Sequence, residues 1–167
     1  MAKIFAIKDV AKGTFKEIGN PSSTISLEYA NDCTLELTGE ESFARKNGNN
    51  CVSFGGARSG TFTVNTEMIS MDVLALMLGG EYDKVANKIS VKGTFAPKSF
   101  TFEGAVNVKF EGESGFKVMD LKLYNITPKI DGSMTLSSTD VGSYSVVFNV
   151  MVDADDKIYD FFEHKGV

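Results

Sequence analysis

Phe100, Phe102, Val106, Val108 and Phe110 alternate with Thr101, Glu103, Asn107 and Lys109, the cleanest stretch of a two-residue period that runs through most of the chain. Successive side chains of a strand point to opposite faces, so a segment written this way buries one face and wets the other. The same period puts Ile25, Leu27, Tyr29, Cys33, Leu35 and Leu37 on one face, with Ser26, Glu28, Thr34 and Glu36 between them. The break at residues 30–32 allows two strands of a hairpin. Phe62 and Val64 alternate with Thr61 and Thr63, and Ile89, Val91 and Phe95 follow later. Phe116 and Val118 are out of phase with Met119, Leu121 and Leu123, which predicts a bulge or a strand buried on both faces. Residues 130–136 and 144–152 make a closing pair across a turn-rich connection, and residues 157–162 add a last short strand. The expected fold class is all-β with one flanking helix, an antiparallel β-sandwich or barrel, in a single domain spanning residues 1–167.

The helix is bounded by Ser70 as N-cap, Asp72 in the first turn, and Gly79 and Gly80 where a left-handed residue ends a helix. At about 100° per residue, Ile69, Val73, Leu76 and Met77 fall on one side and Met71, Leu74, Ala75 and Leu78 on the other. Nearly every side is apolar, so a second surface must cover it, either a loop of the same chain or another subunit. A chain of 167 residues has little mass to spare for both a core and a cover, which favours a subunit. Leu74, Met77 and Leu78 are the expected contacts.

From Thr38 to Gly56, charge, Asn and Gly accumulate and apolar periodicity fades. The segment is expected to be a long charged loop at 38–56, and loops of that length are commonly functional. Phe43 and Phe54 would be wasted on a free loop, which favours an arm that orders on a neighbouring subunit through Glu40, Glu41, Phe43, Arg45 and Lys46. Removal of residues 40–50 is expected to leave a folded protein that cannot assemble.

Chemistry finds little support. The single His164 lies near the C-terminus, where fraying is the default. No HExxH, GxSxG or Walker-type loop occurs, and residues 55–60, Gly-Gly-Ala-Arg-Ser-Gly, lead into a strand and lack the Lys-Ser/Thr ending of a phosphate loop. Asp153, Asp155 and Asp156 are similar to part of a Ca²⁺ loop but lack the Gly and Glu that complete one, so a solvated turn is expected. No enzyme, metal or cofactor is expected. Net charge −5 without a basic run disfavours direct nucleic-acid binding. Cys33 and Cys51 belong to no metal-ligand or CxxC pattern and are expected to be reduced and intracellular. The N-terminus has no signal-type apolar run and no segment is long enough to cross a bilayer, so a soluble protein made in the cytoplasm, with no membrane anchor, is expected. An assembly subunit accounts for the apolar helix and the arm better than a monomeric β-sandwich binding module does.

From Ile25 to about Phe162 the order of features resembles that of phage major tail tube proteins, including the tubes of phage-tail-like bacteriocins. The resemblance is carried by a strand pair, the charged segment 38–56, the strand 61–66 running into the helix, and a closing module. That module is Met119-Asp-Leu-Lys-Leu-Tyr-Asn-Ile-Thr-Pro-Lys-Ile-Asp-Gly, the connection 136–142, and Tyr144-Ser-Val-Val-Phe-Asn-Val-Met-Val. It implies a subunit of stacked hexameric rings whose sheets join around an acidic lumen that passes DNA without binding it. The long loop and the termini, flexible or interface-forming, would bridge neighbours. It also implies tail sheath, baseplate, terminator and tape-measure proteins as partners, and a place in the virion tail after assembly in the bacterial cytoplasm. Glu103 and Asn107, on the polar face of the cleanest strand, are the lumen candidates, with Lys109 a misfit there. A head-tail completion or capsid decoration protein is the alternative within assembly proteins.

Overall fold

The computed structural model describes residues 5–28, 30–94, 97–112, 114–129, 133–135 and 142–163. They form β1 (Phe5–Glu17), β2 (Asn20–Leu27), β3 (Asp32–Lys46), β4 (Asn49–Thr66), α1 (Met71–Leu78), β5 (Glu81–Asp83), β6 (Lys88–Ser90), β7 (Phe100–Phe110), β8 (Lys117–Pro128), β9 (Ser133–Thr135), β10 (Ser143–Met151) and β11 (Tyr159–Glu163). The fold is all-β and antiparallel with one short helix. A nine-stranded sheet runs β2-β1-β7-β8-β10-β4-β3, with β11 beside β8 and β9 beside β10, while β5 and β6 make a separate ribbon.

Alternation in β7 becomes burial. Phe100, Phe102, Val106 and Val108 point into the core, and Thr101, Glu103 and Asn107 stay half-exposed on the opposite face. Four phenylalanines close the centre: Phe102 lies 5.0 Å from Phe15 and 4.8 Å from Phe62 between ring centroids, and Phe148 lies 5.1 Å from Phe15 and 6.2 Å from Phe62. β1 and β10 are separated in the sheet by β7 and β8, a flat distance of about 14 Å at the usual strand spacing. Their stacked rings therefore require the sheet to roll until its inner face meets itself. The four-residue link from β2 to β3 bridges the two ends of that roll.

Two expectations change. β2 and β3 do not form a hairpin; β2 pairs with β1, β3 pairs with β4, and they stand at opposite ends of the sheet. The register of β7 with β8 is unbroken at residues 117–123, and the bulge lies instead at residues 124–125, where Phe102 opposes Leu123 and Phe100 opposes Ile126. Of the alternating residues after the helix, Ile89 lies in β6 and Val91 just past its end. Lys88–Ser90 returns beside β5, and Phe95 lies outside the described residues, as do Ile130 and residues 136–141 of the closing pair and its connection. The last short strand is present as β11 on β8.

The helix ends where expected. The Ser70 hydroxyl accepts from the Val73 N–H at 3.3 Å, and Gly79 is left-handed at φ 62°. Gly80 N–H donates to the Ala75 carbonyl at 2.8 Å and Gly79 N–H to that of Leu76 at 3.3 Å, a paired closure that satisfies the last carbonyls.

Candidate functional site

Residues 38–56 are not a loop but the outer half of a two-stranded ribbon. β3 and β4 pair from Asp32 opposite Asn65 out to Lys46 opposite Asn49. Asn47 (φ 54°) and Gly48 (φ 82°) close it with the two-residue turn that needs both central residues left-handed. Apolar periodicity fades there because both faces are wet: from 40 to 57 every side chain that is described is exposed. Glu40, Arg45 and Lys46 are exposed, and Phe43 is 43% exposed although it is one of the largest apolar side chains of the protein. Glu41 pairs with Gly55 through the backbone, and its side chain lies outside the described set, as does that of Phe54.

The ribbon also carries a free edge. β10 pairs with β4 only over Gly60–Thr66. Residues 49–59 of β4 therefore have β3 on one side and, among the described residues, no strand on the other. A cleft of about 470 Å³ opens where the sheet divides, with Leu37, Gly56, Ala57 and Arg58 on one wall and Val152 and residues 156–159 on the other. The outer strand of the ribbon is studded with Glu40, Glu41, Arg45 and Lys46, charges that discourage edge pairing. Along 49–59 only Arg58 is charged.

The helix is held more firmly by its own subunit than its sequence suggests. Val73, Ala75 and Leu76 are buried, and Leu74 and Leu78 are half-buried against the chain's own core. The β5–β6 ribbon and β2 supply part of the cover. The Met77 side chain lies outside the described set. A Leu74→Glu variant thus strikes the core of the subunit as well as any contact between subunits.

Glu103 and Asn107 lie on the half-exposed face of β7, with Glu103 between two lysines drawn from flanking strands. Its carboxylate accepts from Lys16 Nζ at 2.8 Å and meets Lys122 Nζ at 3.0 Å. The Lys16 hydrogen bond, followed by burial acting in the opposite sense and then by Lys122, leaves the Glu103 carboxyl below its ordinary value. The charge is compensated in place, so it adds no free negative potential to that face. With a folded-state pKa below the unfolded one, this stabilisation is complete above the unfolded value of about 4.3 and disappears as pH falls through the folded one. Because the site is part-exposed, Glu103→Gln should cost less than about 1 kcal/mol at pH 7. Urea unfolding of both proteins should show that difference closing in acid, and a difference that grows as pH falls would contradict the assignment.

Nearby, Asp153 closes its own turn. Its Oδ1 accepts from the Asp155 and Lys157 N–H groups at 2.9 and 2.8 Å, and Asp156 is left-handed at φ 60°. That carboxylate is spent on the backbone. Lys157 reaches across to the Tyr124 ring, whose hydroxyl donates to Asp160 Oδ2 at 2.5 Å. His164 lies outside the described residues. No helix among the described residues is long and apolar enough to cross a membrane.

The two cysteines cannot bridge within one chain. Cys33 opposes Val64, while Cys51 sits beside the pair Ala44 and Val52, eleven residues further along β3 or about 36 Å at the strand rise. Burial, reinforced by the Asp32 charge, pushes the Cys33 thiol up to about 12. At pH 8 Cys33 should react with a thiol reagent on the order of 10³-fold more slowly in the native protein than in guanidinium. Comparable rates in a time course resolved by mass spectrometry would show that the thiol is open.

No protein-family model and no curated protein matches the sequence. Among solved structures, the fold is similar to a chain in the cryo-EM structure of the anti-feeding prophage baseplate, six-fold symmetrised. That match has a TM-score of 0.53 and 14% identity, and covers 99% of this chain and 100% of the other.

Proposed function

We propose that this protein is a structural subunit of a phage-tail-like particle, assembling into stacked, hexameric rings that form a tail tube and pass DNA without binding it. The observation that carries the proposal is the likeness of fold over 99% of the chain to a component of a six-fold baseplate assembly. Two features of the chain itself agree with it. The exposed ribbon 40–57 projects a long strand whose outer backbone edge no other strand covers among the described residues, and such an edge pairs readily with another chain. The net charge of −5 suits a conduit for a polyanion. The partners that follow are further copies of the chain first, then sheath, baseplate, terminator and tape-measure proteins, in a particle assembled in the bacterial cytoplasm.

Negative-stain electron microscopy of the purified, concentrated protein tests the proposal. Rings and tubes are the expected result. Rings that never stack would mark a single-layer component of a baseplate or neck, and a monomer at every concentration by light scattering would reject the assembly role.

A further inference from the structure

We infer that the wall facing passing DNA is the polar face of β10, β4 and β3, not the face that carries Glu103 and Asn107; this rests on the tube proposed for the chain. Opposite the core, the outer surface of the rolled sheet divides into two regions of different chemistry. On β1, β7 and β8 it carries Lys12, Lys16, Lys109 and Lys122 with Glu103 and Asp120. On β10, β4 and β3 it carries Thr34, Thr61, Thr63, Asn65, Ser145 and Asn149 in register across three strands, with the half-buried Val147 opposite Thr63 as the one apolar side chain among them. Within 32–38, 59–66 and 143–151 the charged residues are Asp32 and Glu36, and Arg58 lies just outside. Lys129, just past the end of β8, donates its N–H to the Val147 carbonyl at 2.8 Å, so a single lysine adjoins this face at its β8 margin against the two carboxylates of Asp32 and Glu36.

That division matters to a polyanion. A phosphate backbone gains affinity from each lysine it meets, through release of condensed counterions, so a lysine-bearing wall would hold DNA at every ring. Hydroxyl and carboxamide groups offer single neutral hydrogen bonds that water replaces at little cost, and Asp32 and Glu36 add repulsion. The Asp32 carboxylate is fixed by Asn65 Nδ2 at 2.6 Å, which holds its charge against this face. The hydroxyl region is therefore suited to passage and the lysine region to contact with protein.

Thiol labelling of assembled tubes tests the assignment. Thr61→Cys, Asn149→Cys and Asn107→Cys are made in the native chain, and each is treated with N-ethylmaleimide or with a polyethylene-glycol maleimide too bulky to enter a tube, the modified residue being identified by peptide mass spectrometry. Thr61→Cys and Asn149→Cys should take the small reagent in tubes and lose the large one, while both reagents modify them in dissociated subunits. Asn107→Cys should take both reagents or neither. Labelling of Thr61→Cys and Asn149→Cys by the large reagent in tubes would put that face outside, and protection from both reagents would put it between subunits; either result overturns the inference. Absence of tubes from the unsubstituted protein would instead reject the tube itself. Asn149 is exposed, so its variant is informative even where Thr61→Cys fails to fold.

Discussion

Phe102→Ala should cost about 3–5 kcal/mol of stability, the usual range for truncating a fully buried phenylalanine, and that is a large part of the about 5–15 kcal/mol a domain has to lose. Phe102 is 1% exposed and touches the rings of both Phe15 and Phe62, so its removal opens a cavity where β1, β4 and β7 meet. The ring also has a floor made for it. Gly13 and Gly104 are paired across β1 and β7, and a Cβ on Gly104 would lie 2.7 Å from the Phe102 ring. Gly104→Ala should accordingly be costly in the native background and nearly free in Phe102→Ala, where the ring is gone. A double-mutant cycle by urea denaturation measures that coupling. If Phe102→Ala loses less than about 2 kcal/mol, outside the range for such truncations, or if the glycine substitution costs the same in both backgrounds, the packing described for the core is wrong.

What the sequence disclosed follows from which segments obey a single period. β7 is regular from end to end against β8 except at one bulge, and its pattern is legible at sight. The helix was bounded by chemistry local to its ends. β1 was invisible because its register shifts twice, between Ile7 and Asp9 and between Val10 and Lys12, so its apolar residues fall on alternating parities. The ribbon reads as a loop in sequence because a strand wet on both faces has no apolar period to display. Asn47-Gly48 was the signal that could have found it, since that dipeptide is the strongest short-range mark of a tight hairpin. The partners of Glu103 could not be read at all. Lys16 lies 87 residues away in the chain, and only the order of strands brings it there. Leu74 and Leu78 show the converse limit: the period identifies apolar sides of a helix without saying whether the covering atoms belong to the same chain.

Replacing residues 40–57 by Asn-Gly should leave the subunit folded and abolish tubes. Gly39 and Arg58 oppose each other in register, so a two-residue turn joins them without disturbing the pairs from Asp32 to Gly39. Excision of 40–50 alone would be a poorer experiment, because it removes the outer half of β3 and leaves residues 51–57 without their ladder. The replacement discards little burial, since the described side chains of the excised segment are exposed, and a shorter connection lowers the entropy lost on closing it. Stability should therefore change by no more than about 1 kcal/mol, or about 2–4 °C in Tm for a chain of this size. Assembly should change completely, because the excised segment contains all of the unguarded edge of β4 save Arg58 and Ser59. Circular dichroism and thermal melting establish the first half, and electron microscopy at matched concentration the second. Tubes of normal appearance would show that the ribbon takes no part in assembly. A variant that fails to melt cooperatively would show instead that the ribbon belongs to the folding unit, and that its exposed Phe43 contributes to the subunit rather than to its neighbour.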